Sequence, residues 1–388
     1  MQHSHDRIIT THAGSLPKTA ALTASHVALA KNELADKKTF EGDVEAATRQ
    51  IIQRQIEAGI DIINNGEVGR ESFFTYLRHR MTGFGGESKR PVMADLTAYP
   101  NYMEMLMRSS FAAESISLLS APQAIGPVSY HSAEPIAAEC AQLSRLLAEF
   151  PDQYREAFVS APSPGIVAAA MENAYYDSLE DYVEALTRAL TMEYQTIVNA
   201  GFILQIDAPD LAMERHTLFQ NKPLAEFQSF LRLVIDAINV ALQGLPRDRI
   251  RLHVCWGNYE GAHDADVPLE DIWTEIETAR VGGFLLSMAN PRHAHEYHLF
   301  ESGLFPDDMV LVPGVIDTTS NYIEHPQLVA DRLEQIANVI GDPSRIIAGT
   351  DCGFETSAGM TSVAPDIVWA KLQAMTEGAA LASKRLFS

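Results

Sequence analysis

The chain has 388 residues, 46% of them hydrophobic and 21% charged, with a formal charge of −22 at pH 7. That length suits one large domain or two ordinary ones, and the acidity argues against nucleic acid or an anionic membrane as partner. No apolar run reaches the ~18 residues of a membrane span, the polar start Met1-Gln2-His3-Ser4-His5 lacks a signal-peptide core, and three cysteines are too few for a disulfide scaffold, so a cytoplasmic chain with free or metal-bound thiols is expected.

Short β-rich runs alternate with long amphipathic helices. Ile8–Ala13 reads as a strand ended by the Gly14-Ser15-Leu16-Pro17 turn. Asp43–Ala58 has helical spacing and stops at Gly59, and the strand Ile60–Asn64 runs into Gly66-Glu67. A third strand is Ala157–Pro162. Asp177-Ser178 caps a helix to Ala200, and Phe202–Asp207 is the next strand. A helix over 223–243 leads to a strand at 249–255, and a helix over 268–281 leads to Gly283–Met288. Helix-like residues near His295–Gly303 precede a strand at 309–316. Then come a helix at 326–340, a strand at Arg345–Thr350 and a last helix over Pro365–Arg385. About eight βα units predict an α/β fold, a single (β/α)8 TIM barrel over 1–388. The surplus at about 68–155, with its strand-like Ala124–Ser129, reads as an insertion after the second strand. An open doubly wound sheet is the competitor, but the first strand is followed by no Gly-x-Gly-x-x-Gly loop.

Function in such a barrel sits at the C-terminal ends of the strands. Those ends carry Ser15, Glu67, Asp207, His253 with Cys255, Ser287, Asp317 with Thr319, and Asp351 with Cys352. His253 and Cys255 are two apart on a strand and so share a face. Imidazole and thiol together are transition-metal ligands, zinc first; the alternative is a buried histidine beside a small buried hydrophobe. Cys352 at the eighth strand favours the metal. One histidine and two thiolates around Zn2+ leave one tetrahedral position open, the catalytic pattern, and would hold an incoming thiol as a thiolate ready to attack an electrophilic carbon. Glu67 and Asp207 could capture a substrate ammonium or cap the following helices. The Gly14-Ser15 turn offers N–H groups to a carboxylate, and Arg292 is a candidate for a carboxylate or sulfonate. His293-Ala294-His295 could be a second metal site, against helix capping or substrate contact. Cys140 reads as core, while Met213 and His216, toward the rim, carry no assignment.

As an ordered set, Gly14-Ser15-Leu16-Pro17, Asn65-Gly66-Glu67, Gln205-Ile206-Asp207-x-Pro209, His253-x-Cys255, Pro313-Gly314-Val315-x-Asp317 and Asp351-Cys352-Gly353 resemble the cobalamin-independent methionine synthase family, in particular its C-terminal catalytic barrel and the single-barrel proteins similar to it. The resemblance implies zinc on His253, Cys255 and Cys352, homocysteine at Ser15, Glu67 and Asp207, and methyl transfer from a methylated pterin to the zinc-bound thiolate, giving methionine. Three departures stand out. Ser287 occupies the place of the family's glutamate ligand. Thr319, beside Asp317 in the catalytic loop, occupies that of its acid histidine. The extra N-terminal barrel of the long enzymes is missing. These lean toward single-barrel relatives, among them epoxyalkane–coenzyme M transferases. Transfer of another small thiol onto an epoxide is therefore the first alternative, and a non-catalytic metal- or thiol-binding barrel the second. The expected partners are a small-molecule thiol and an alkyl donor, with no nucleic acid or membrane; a homo-oligomer is left open.

Overall fold

Side chains on a barrel strand alternate between the outer helical layer and the interior, and this decides which residues can reach the mouth. The structure is a computed structural model describing residues 1–31, 33–34, 36–110, 115–116 and 121–387. Its barrel strands, numbered in chain order, are β1 (Ile9–Thr10), β2 (Ile62–Ile63), β3 (Glu156–Pro162), β4 (Ile203–Asp207), β5 (Ile250–Val254), β6 (Gly283–Leu286), β7 (Val310–Ile316) and β8 (Ile347–Thr350). They form one parallel sheet running from β2 through β3 to β8 and on to β1. The β1 and β2 ends meet through Asp61 N–H to the Thr10 carbonyl at 3.2 Å and the Thr11 hydroxyl to the Ile62 carbonyl at 3.0 Å. The fold is thus the expected (β/α)8 barrel, nearly closed.

Ile250, Leu252 and Val254 of β5 belong to the large core between strands and helices. Arg251 and His253 therefore face inward, above an inner cluster that includes Ile9, Ile62, Phe158, Ile203, Leu285, Val312 and Ile347. On β4 the same alternation sends Leu204 and Ile206 outward and Gln205 and Asp207 inward. Asp207 pairs in register with His253. The register between β7 and β8 shifts at Gly349–Thr350, immediately before Asp351-Cys352.

Helix bounds follow caps. The helix closed by Gly59 spans Lys37–Glu57, opening six residues before the expected Asp43. Asp36 caps it, accepting from the Lys38 and Thr39 amides at 3.0 and 3.1 Å; its first turn is too polar to show the apolar period. The helices Leu179–Asn199, Leu224–Ala241, Pro326–Ile340 and Pro365–Leu386 fall close to expectation. The helix expected over 268–281 is instead a 3-10 turn, Leu269–Asp271, and one helical turn, Trp273–Ile276. Trp273 packs on Phe284, Phe300 and Phe305 with ring centroids 5.2, 4.9 and 6.0 Å away, so tertiary packing overrides the local period.

Between β2 and β3 lie an antiparallel hairpin, Met81–Gly85 with Gln123–Tyr130, and the helices Ala94–Thr97, Pro100–Ser110 and Glu134–Leu147. Cys140 on the last of these is buried in the core. Among the described residues no helix is long and apolar enough to cross a membrane.

Candidate metal and thiol site

The inward parity of β5 and the shifted end of β8 bring His253, Cys255 and Cys352 together at the mouth. Their ligand atoms all lie within 4.8 Å of one another, the three side chains are buried, and both cysteines are free thiols. The neighbouring Cys352 thiol, aided by His253 and the Gly257 amide against the cost of burial, holds the Cys255 thiol well below its ordinary range. Burial opposes the charged form of His253, but the Cys255 charge and the Asp207 hydrogen bond outweigh it and raise the imidazole to about 10. One soft imidazole and two thiols, one of them readily ionised, fit a zinc-class ion chemically.

A chain of buried polar groups supports this cluster from below. Arg251 Nε donates to Gln205 Oε1 at 2.9 Å, Gln205 Nε2 donates to Asp207 Oδ1 at 2.7 Å, and Asp207 Oδ1 faces His253 Nδ1 at 3.1 Å. A carboxylate on Nδ1 fixes the imidazole's tautomer and leaves Nε2 as the ligand nitrogen. Arg251 sits 4.1 Å over the Phe158 ring, and burial lowers it to about 9.

The Asp351 carboxylate accepts from the Met288, Ala289 and Asn290 amides at 2.9, 2.8 and 2.7 Å, tying the loop after β6 to the residue before Cys352. Gly314 makes this approach possible, since a Cβ there would lie 2.0 Å from Asp351 Oδ1. The Asp351 carbonyl accepts from the Ser287 hydroxyl at 2.7 Å and faces His253 Nε2 at 3.2 Å. Ser287 is thus engaged on backbone beside the cluster.

Glu67 completes the acidic side of the mouth. It holds a left-handed backbone, φ 55°, uncommon for a residue with a side chain, and the Asn65 side chain accepts from its amide at 3.0 Å. Its carboxylate accepts from the Ser160 hydroxyl at 2.7 Å. Burial, then the charge of Asp207, pushes Glu67 up to about 7. Gly14 is required here: a Cβ would lie 2.2 Å from Glu67 Oε1. Ser15 abuts Gly353, whose Cβ would lie 2.0 Å from the Ser15 hydroxyl, and that hydroxyl accepts from the Glu355 amide at 3.3 Å.

Asp207 thus touches the cluster through His253, Glu67 stands beside Asp207, and Ser15 abuts the glycine that follows Cys352. Asp317 and Thr319 stand in the turn after β7, where the Thr319 hydroxyl donates to Asp317 Oδ1 at 2.9 Å rather than to the cluster. Arg292 is exposed, its Nε donating to the His263 carbonyl at 3.0 Å. The His293/His295 pair splits: His293 is buried and His295 exposed. Sequence reading missed Asn258, which links two walls of the mouth: its amide donates to the Gly353 carbonyl at 2.8 Å and accepts from the Thr318 hydroxyl at 2.8 Å. The missed role of Asp351 as a backbone clamp had no local signal.

Fold and site define a (β/α)8 barrel with a buried imidazole–dithiol cluster at its C-terminal mouth. The family described as "Cobalamin-independent synthase, Catalytic domain" matches residues 8–109. The chain is 25% identical over 353 residues to the 5-methyltetrahydropteroyltriglutamate–homocysteine methyltransferase of Chelativorans sp., covering 89% of this chain and 39% of that one. It is 23% identical over 378 residues to the methionine synthase of Saccharolobus solfataricus, covering 97% of this chain and 95% of that one. Thus it spans well under half of the first relative and nearly all of the second. Among solved structures, a B12-independent methionine synthase from Shewanella sp. in complex with selenomethionine superposes with a TM-score of 0.72 at 20% identity, covering 98% and 99% of the two chains. The chain is similar in sequence and fold to the cobalamin-independent methionine synthases, the family its motif set resembles.

Proposed function

We propose that this chain is a zinc-dependent thiol alkyltransferase, with homocysteine as acceptor and a methylated pterin of the 5-methyltetrahydrofolate type as donor. The carrying observation is the buried His253–Cys255–Cys352 cluster with two inward carboxylates, Asp207 and Glu67, beside it. The activities of the relatives, methyl transfer to homocysteine and methionine synthesis, support the same reading.

His253, Cys255 and Cys352 would hold the metal. Zinc, when bound, would lower the pKa of the acceptor thiol and keep it a thiolate at neutral pH. Asp207 keeps His253 in the ligating tautomer and adds negative charge where an amino group would sit. Glu67, ionised by an arriving ammonium, forms a charge-assisted hydrogen bond to it. The backbone of the Gly14-Ser15 turn receives the carboxylate. With two acidic groups at the mouth, an amino acid thiol fits better than a sulfonate thiol, which brings a further anion and no cation. On the donor side the Asp317–Thr319 pair, in which the Thr319 hydroxyl donates to Asp317 Oδ1, would offer polar contacts to the methylated pterin.

The test is metal analysis followed by acceptor titration. The purified chain should bind a thiolate-ligated zinc that is lost in Cys255→Ser and in Cys352→Ser. The zinc form should bind homocysteine with proton release and prefer it to coenzyme M. Thiol-ligated zinc that survives both substitutions sinks the site, and preference for the sulfonate thiol replaces the acceptor.

A further inference from the structure

Beyond the thiol cluster, the loops after β4, β5 and β6 bring three histidines around one aspartate. Asp266 Oδ2 lies 2.8 Å from His263 Nδ1 and 2.7 Å from His293 Nε2, and Asp266 Oδ1 lies 3.0 Å from His216 Nδ1. These side chains are 0–5% exposed. The ligand atoms of His263, Asp266 and His293 all fall within 4.8 Å of one another. His216 Nδ1 and Asp266 Oδ1, although close, are not aligned as donor and acceptor, and neither makes a hydrogen bond among the described residues.

The outer nitrogen of each ring also meets an acceptor. His263 Nε2 is 3.1 Å from the Tyr259 carbonyl, and His293 Nδ1 is 3.5 Å from Glu296 Oε1 without making a hydrogen bond among the described residues. His216 Nε2 is 3.3 Å from the Tyr259 hydroxyl, whose own hydrogen is committed to Asp95 Oδ2 at 2.8 Å. Both nitrogens of all three rings therefore face groups that want a proton or a cation, yet a neutral imidazole carries a single N–H. Three buried imidazoliums around one carboxylate would satisfy the count but repel one another. A divalent cation taking the inner lone pairs of His263 and His293 satisfies it for those two rings without that repulsion. Each of the two then keeps one N–H for its outer acceptor, the hydrogen-bonding arrangement typical of metal-bound histidines.

We propose that His263, His293 and Asp266 form a second metal site, for a zinc-class divalent cation, with His216 set against the other oxygen of Asp266. Two imidazoles and a carboxylate are borderline ligands suited to that class, and His216 Nδ1, 3.0 Å from Asp266 Oδ1, braces the carboxylate from its other side. The ion would pin the loops after β5 and β6 together above the mouth. Trp256, next in sequence to Cys255, stacks on His293 with centroids 3.8 Å apart, so the pin bears directly on the strand end that carries the thiol cluster.

Co2+ distinguishes the two sites, because a thiolate ligand adds a near-ultraviolet charge-transfer band that nitrogen and oxygen ligands do not. The metal-free full chain is titrated with Co2+ and, separately, with Zn2+ followed by metal analysis. The wild type should take up two ions per chain. Cys255→Ser/Cys352→Ser should keep one, with visible cobalt bands and no thiolate band. Asp266→Asn and His263→Gln should each bind that second ion at least tenfold more weakly while retaining the thiolate band, which also reports that the chain is folded. The proposal is overturned if the double cysteine variant takes up no ion, or if Asp266→Asn and His263→Gln both bind two as tightly as the wild type. Absence of the thiolate band from the wild type counts against the proposed function and leaves this readout intact.

Discussion

Glu67 concentrates the conflict between folding and binding at the scale of a residue. It is buried, holds a positive φ and shares the mouth with Asp207. Its carboxyl is raised to about 7 by burial and then by Asp207, whereas an unfolded chain releases that proton near ~4.3. Below about pH 4 both states are protonated and Glu67 costs nothing. As pH rises from about 4.3 to about 7, the unfolded chain has lost the proton that the folded chain keeps, so stability falls. Above about 7 the penalty is complete. Glu67→Gln should therefore gain on the wild type across that window, reaching about 1–3 kcal/mol at pH 8, in urea unfolding of the substrate-free chain. The same variant should bind homocysteine at least tenfold more weakly. Unchanged affinity would remove the ammonium role. The position at a strand end was legible in the sequence, because Asn65-Gly66-Glu67 follows an apolar run. The raised carboxyl was not, since it arises from burial at the mouth and from the charge of Asp207, which is remote in sequence.

At the scale of elements, alternation along β4 and β5 made the juxtaposition readable: residues two apart share a face, and adjacent parallel strands align Asp207 with His253. Where a loop sets geometry, the sequence is silent. Asp351 reads as one more strand-end carboxylate, yet its oxygens gather three amides of the loop after β6. Of the histidine–aspartate cluster only His293 was singled out in the sequence, since its members come from three loops that only the barrel brings together. Asp351→Asn tests how far the clamp governs the metal ligand beside it. An amide can keep two of the three bonds but turns an N–H2 toward a third donor, which costs about 1–3 kcal/mol for a buried group left unmatched. Loosening the support of Cys352 should weaken zinc by about 10- to 100-fold. Competition with a chelating dye measures the affinity, and thermal unfolding with and without zinc separates it from the loss of stability. Full stability loss with unaltered zinc affinity would mean that the clamp serves the loop alone.

For the whole molecule, chemistry and closure lie at opposite ends of the barrel. The eight-unit rhythm announced the fold, but β1 and β2 are only two residues long each, and no period in the sequence says how so short a seam is held. The structure assigns that work to Asp61, at the N-terminal end of β2. Its carboxylate accepts from the Thr10 amide at 2.9 Å and from Arg7 Nη1 at 2.8 Å, and Arg155 Nε lies 3.5 Å away. Arg7 is 41% exposed, so solvent screens much of that pair, and the buried bond to Thr10 carries the larger share. Asp61→Ala leaves that amide without its partner and should cost about 1–3 kcal/mol. Hydrogen exchange should quicken first at the Thr10 and Asp61 amides. The thiol cluster rests on β4, β5 and β8, whose ladders do not pass through Asp61, so the folded variant should bind zinc and homocysteine as the wild type does. Equal loss of zinc affinity in Asp61→Ala would show that the seam and the mouth form one cooperative unit, and that the ring must be shut for the ligands to meet.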